Sequence, residues 1–137
     1  VTPELALQTA LRTRLVATAA VGSLVPAESI LDRNGRPNPD PSIIIGEGLS
    51  IDDGDSIARD RTRIVLDLHV WRKEPSTAGV KAIAGAMRTA IRSAALDLAE
   101  GFHAVDCRVS SMRFLRDPDG ETSHAVVTVE AIVQEVP

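Results

Sequence analysis

The chain has 137 residues, 44% of them hydrophobic and 25% charged, with nine Gly and eight Pro, a composition that excludes disordered, collagen-like and membrane-spanning classes and fits one soluble domain. Fifteen Lys and Arg against 19 Asp and Glu give a formal net charge of -4, so no global basic field exists to hold duplex DNA or an anionic membrane. Aromatic residues are 2% of the chain, Trp71, Phe102 and Phe114 with no Tyr, too few for a platform that stacks single strands or sugars.

The first element opens with Thr2 as N-cap, Pro3 at the first helical position and Glu4 in the first turn, three independent start signals. Leu7, Leu11 and Leu15 recur at helical spacing with Ala10 and Val16 beside them, which turns one stripe toward a core. The helix is expected to end at Val21-Gly22. Because Glu4, Gln8, Arg12 and Arg14 interleave with the Leu residues, this start does not read as a signal peptide. No run approaches the roughly 20 apolar residues of a membrane helix, and no membrane partner is expected.

From Val25 to Pro41 the chain carries Pro26, Pro37, Pro39 and Pro41 among Asp, Asn and Gly, and reads as one long loop, since Pro lacks a donor and restrains its predecessor. Ser42 to Gly46 is then a short strand built on Ile43-Ile44-Ile45. Gly48 to Arg59 reads as a second loop, with Asp52, Asp53 and Asp55. Thr62 to Arg72 alternates Ile64, Leu66, Leu68 and Val70 against Arg63, Asp67 and His69, the signature of a strand with one buried face.

Ser76 or Thr77 can cap a helix in which Val80, Ile83, Ala84, Met87, Ala90, Ile91 and Ala94 keep the i, i+3, i+4, i+7 rhythm. Phe102 to Arg116 and Glu121 to Glu135 are two long strands around Asp117-Pro118-Asp119-Gly120, a turn sequence in which Pro sets φ and Gly admits positive φ. The expected fold is α+β: about four strands in an antiparallel or mixed sheet, two helices packed on one face, long loops, and the order α-β-β-α-β-β.

Chemistry-bearing residues are sparse. Cys107, the single cysteine, can form no internal disulfide, and without a CxxC pair it reads as a small buried hydrophobe from a reducing, cytoplasmic setting. His69, His103 and His124 lie far apart on separate strands. A metal would require two or three of them to converge with carboxylates, and no metal or cofactor is assigned. The Asp52-Asp53-Gly54-Asp55 and Asp117 to Gly120 segments lack the ligand spacing of a calcium loop and read as turns. No nucleophile has a recognisable base and oxyanion arrangement, so no catalytic residue is assigned. Trp71, beside Arg72 and Lys73 on the less apolar face of its strand, reads equally as an interface anchor or as a cover for the sheet end.

Three stretches taken together resemble the phage and prophage tail-completion proteins, the tail terminators or head-tail joining proteins also found in gene transfer agents. They are Pro41-Ser42-Ile43-Ile44-Ile45-Gly46-Glu47 after an amphipathic helix and a Pro-rich loop, Leu68-His69-Val70-Trp71-Arg72 before an Ala-rich helix, and Arg116-Asp117-Pro118-Asp119-Gly120-Glu121-Thr122-Ser123-His124. The segment Glu28-Ser29-Ile30-Leu31-Asp32 departs from that pattern by lacking an Arg-Ile pair.

The resemblance implies a single tail-terminator-like domain over residues 1–137, structural rather than enzymatic. It implies a homo-oligomeric ring, a hexamer, at the head-proximal end of the tail tube, which stops tube polymerisation and joins tail to head in the neck of a particle assembled in the bacterial cytoplasm. Its partners would be its own copies, the tail tube protein and a neck or stopper protein, with DNA only passing through the lumen. The residues expected at the assembly interface are Trp71, Arg72, Asp52, Asp53 and Asp55, the three acids as repellents of passing phosphate. The alternatives are another neck ring, a stopper or head-completion protein, and a small ligand-binding α+β domain.

Overall fold

The computed structural model describes residues 1–32, 40–54 and 57–137. Helix α1 (Pro3–Ala17) starts where its signals place it, with the Thr2 hydroxyl accepting from the Leu5 amide at 3.2 Å. It stops earlier than the expected end at Val21-Gly22. The Thr18 hydroxyl donates to the Arg14 carbonyl at 2.7 Å while its backbone turns extended, so a side chain competes with the helical ladder and breaks it. A single further turn, α2 (Ala19–Gly22), follows.

The Pro-rich stretch is less irregular than its composition indicates, because a 3-10 turn at Ala27–Ser29 leads into a three-residue strand, β1 (Ile30–Asp32). Helix α1 fixes it: Arg12 donates to the carbonyls of Ile30 and Ala27, and Gln8 donates to Asp32. The part of that expected loop that holds Pro37 and Pro39 lies outside the described residues.

Strand β2 (Ser42–Asp52) runs well past the expected end at Gly46. Leu49 and Ile51 alternate with Gly48, Ser50 and Asp52, and β3 (Arg61–Arg72) is long enough to pair with all of them. Helix α3 (Ala78–Arg92) follows with Thr77 at the N-cap position, where its side chain makes no capping hydrogen bond; the Ser76 hydroxyl before it accepts from the Ala78 amide at 3.1 Å. Ala94, expected on its core stripe, falls beyond the helix. Strands β4 (Phe102–Arg116) and β5 (Ser123–Glu135) form the expected hairpin, with Gly120 at φ 73° in the turn.

The described strands make one five-stranded sheet in the order β1-β2-β3-β5-β4, with β1 parallel to β2 and every other pair antiparallel. The fold is α+β as expected, and β1 is the strand beyond the expected four. Leu7, Leu11 and Leu15 of α1 and Ile83, Met87 and Ile91 of α3 join Leu68, Val70, Val127 and Val129 in a single core on one face of the sheet. No helix among the described residues is long and apolar enough to cross a membrane.

Arg14 ties the two long helices together. Its guanidinium donates to the carbonyls of Ala90, Ala94 and Ala95 at 2.9–3.0 Å, satisfying acceptors left over at the end of α3 and favoured there by the helix dipole. Arg14→Met, which keeps the aliphatic stem, is expected to destabilise the chain by about 1.5–3 kcal/mol, the range for hydrogen bonds to a charged group. Urea denaturation checks it, and an unchanged midpoint would contradict it.

Candidate functional site

The sheet face opposite the helices carries a row of polar and titratable side chains. β3 contributes Arg63, Asp67, His69 and Trp71 to it, and β5 contributes His124, Thr128 and Glu130. β2 contributes through an irregularity: Ile45 pairs with Leu68 and Gly48 with Leu66, so Gly46 and Glu47 together oppose Asp67. Two residues facing one is a β-bulge, and it turns Glu47 to the same face as Gly46, where strict alternation would send it toward the helices. Gly46 is required beneath it. A Cβ there would lie 2.5 Å from Cδ2 and 2.7 Å from Nε2 of His69.

The result is a column of side chains across three strands. The Trp71 ring stacks on His124 with centroids 3.9 Å apart and planes 5° off parallel, and His69 meets His124 edge to edge with centroids 5.0 Å apart and planes 21° off parallel. Nδ1 of His69 lies 2.8 Å from Nε2 of His124, and Nε2 of His69 lies 3.2 Å from the Glu47 carboxylate. Thr128 donates its hydroxyl to Asp67 at 2.7 Å. Glu47's carboxyl titrates below its ordinary value because its own backbone and then His69 hydrogen-bond to the charged form. His69 is flanked in register by Ile44 and Val126, both buried, so the column stands on an apolar floor.

A second polar group lies farther along the same face. Arg63 bridges Glu130 at 2.8 Å and Asp53 at 3.4 Å, and Arg108 approaches Glu130 from β4 at 3.5 Å. Toward the β2–β3 connection Leu49, Ile51 and Ile57 are exposed, the last completely so, while Ser50 between them donates to Glu4 of α1 at 2.7 Å.

The expected interface residues fall in different surroundings. Trp71 belongs to the stacked column. Arg72 is engaged within the chain, its Nε donating to Glu74 at 2.7 Å, and that carboxylate also receives the Gly79 amide at the start of α3. Asp52 pairs with Arg59 at 3.3 Å and caps the amide of Gly54. The Asp53 side chain is only 4% exposed in its pair with Arg63. Asp55 lies outside the described residues.

His69 and His124, remote in sequence, meet; His103, opposite Gln134 at the other end of β5, does not join them. Glu47 and Asp67 were no part of any expected site. The available signal was Gly46-Glu47-Gly48 directly after an apolar run, a composition suited to a bulge. Cys107 packs against the core, where burial and then Asp106 push its thiol up to about 11, so it is not a thiolate nucleophile at neutral pH.

The three stretches that carried the family resemblance thus converge, supplying Glu47, then His69 and Trp71, then His124. Residues 9–134 match the family model described as Tail completion protein gp17. In structure the chain is similar to a chain of the "Virion of native gene transfer agent (GTA) particle", at 22% identity and a TM-score of 0.79, with 96% of each chain covered; at that identity the likeness is one of fold. No curated protein matches the sequence. On a match that runs from the middle of α1 to the penultimate residue of β5 and includes the column, the chain belongs to the tail completion protein gp17 family, structural components of phage-type tails.

Proposed function

We propose that the chain assembles as a homo-oligomeric ring, a hexamer, at the head-proximal end of the tail tube, where it ends tube polymerisation and joins the tail to the head. The observation that carries this reading is the match of residues 9–134 to the tail completion family. The geometry adds support. Among the described residues, positions 48–52 of β2 have no strand neighbour on their outer side, and β4 has none along its whole length. These edges lie at opposite ends of one sheet, so the arm of one copy can meet the far side of the next, and a contact between unlike surfaces closes into a ring when its rotation permits.

Leu49 is 60% and Ile51 45% exposed on the β2 arm, apolar groups of the kind an interface covers. Trp71 at the end of β3 is the proposed aromatic anchor on the uncovered face, whereas Arg72 and Asp53 serve contacts inside the chain. Asp52, half exposed, and the net charge of -4 fit an acidic passage for DNA, with the tail tube protein below and a neck or stopper protein above.

Replacing Leu49 and Ile51 together by Asp tests the arm. Asp is a poor strand residue and both positions pair with β3, so a loss of about 1–2 kcal/mol is expected, with far-UV circular dichroism of the isolated chain unchanged. Complementation of a deletion strain with this variant is expected to yield at least tenfold fewer joined particles, counted by negative-stain microscopy. Normal yields would remove the arm from the assembly interface.

A further inference from the structure

We propose that Glu47, Asp67 and His69 form a binding site for one divalent transition-metal ion, with Thr128 and His124 orienting two of the three ligands. One ligand atom from each of the three lies within 4.8 Å of the other two. Ligands at about 2.0–2.2 Å from a zinc-sized ion stand roughly 3–3.5 Å apart, and Nε2 of His69 is already 3.2 Å from Glu47. The separations still to close both run to Asp67 and lie within 4.8 Å, a gap that small rotations of the Asp67 and His69 side chains span while Glu47, 82% exposed, follows. Among the described residues no Lys or Arg pairs with Glu47 or Asp67, so two carboxylates face a histidine nitrogen without a fixed cation between them.

Three features beyond proximity shape the site. The bulge at Gly46 and Glu47 is what turns the glutamate onto this face. Gly46 leaves the space that the imidazole occupies. The ligands are also held from behind: Asp67 accepts the Thr128 hydroxyl, and Nδ1 of His69 meets Nε2 of His124.

A neutral His69 with its proton on Nδ1 donates to His124 and presents the lone pair of Nε2 to the ion. Without an ion the proton sits on Nε2 facing Glu47, and His124 donates instead, so binding needs only a shift of tautomers along the pair. Partners on the far nitrogen of a ligating histidine set its orientation and basicity in this way. One nitrogen and two carboxylate oxygens favour zinc, manganese or ferrous ions over soft-ligand metals, and leave a coordination position open to water. The site rests on these side chains alone and stands whether or not the chain closes a ring.

Trp71 is the chain's single Trp and stacks on His124, so its fluorescence reports on the site. The metal-free full chain is titrated with Zn2+, following Trp71 emission and, by calorimetry, the stoichiometry, with Mg2+ in parallel. The expected result is saturation at one Zn2+ per chain, tighter than Mg2+. Binding is expected to weaken tenfold or more in Glu47→Gln, Asp67→Asn and His69→Gln, to weaken roughly tenfold in Thr128→Val, and to be unchanged in His103→Gln. Glu47 is exposed, so Glu47→Gln reads the site without perturbing the fold, which far-UV circular dichroism checks. Absence of saturable binding to the unaltered chain, or Glu47→Gln and Asp67→Asn binding as tightly as the unaltered chain, would overturn the proposal, as would loss of binding in His103→Gln.

Discussion

Truncation of Leu68 to Ala is expected to lower the stability of the fold by about 2–5 kcal/mol, the range for removing a fully buried aliphatic side chain from a packed core. Leu68 is 0% exposed and sits in the middle of β3, between Ile45 of β2 and Val127 of β5. Strands on both sides hold its backbone, and the core it joins includes Ile83 and Met87 of the covering helix. The cavity therefore has little freedom to collapse, which places the expected loss toward the upper part of the range. Urea denaturation should show the midpoint falling with the slope unchanged. A loss under about 1 kcal/mol would mean that the core does not sit between α3 and the centre of the sheet.

Gly46→Ala is expected to destabilise the chain by about 1–3 kcal/mol, the usual effect of overfilling a packed site. The cause is not backbone strain, because Gly46 is absent from the positive-φ positions, where a side chain would be strained. It is the imidazole of His69: an added Cβ would lie 2.5 Å from its Cδ2 and 3.1 Å from the Asp67 carbonyl oxygen. The ring must move, and with it go its contacts to Glu47 and to His124, the partner on which Trp71 stacks. Denaturation and Trp71 fluorescence should change together. In a double-mutant cycle, His69→Ala should recover most of the loss caused by Gly46→Ala, because it removes the clashing ring. Additive losses would show that the clash lies elsewhere.

These two residues also mark what the sequence conveys about the fold and what it does not. Leu68 is legible at once: it stands in a strict alternation with Ile64, Leu66 and Val70, and period two specifies both the element and its buried face. The same holds for the Leu7, Leu11 and Leu15 stripe and for the turn at Asp117 to Gly120, where local chemistry and tertiary structure agree. β1 was hidden because two apolar residues and an Asp in a Pro-rich setting have no periodicity to measure. Only their pairing with Ile43 to Ile45 makes them a strand. The second half of β2 was hidden for the opposite reason. Its Gly and Asp content signals a loop, and the long neighbouring β3 overrides that local preference with a ladder of hydrogen bonds.

The column on the uncovered face depends on information no local pattern holds. Trp71 and His124 meet because β3 and β5 pair in a register fixed by twelve partners, and Glu47 joins them because one extra residue in β2 reverses its facing. A bulge cannot be told from regular strand until the partner strand is known. Asp53 illustrates the converse. It belongs to a run of acids that reads as a turn, yet its side chain is held against Arg63 from across the ladder.

The most direct test of the tail-completion account is negative-stain electron microscopy of particles produced with this gene deleted. The account predicts DNA-filled heads separated from tails, with tail tubes of uncontrolled length, restored to joined particles of uniform length by the unaltered gene. Joined particles with tails of normal length in the deletion strain would contradict it.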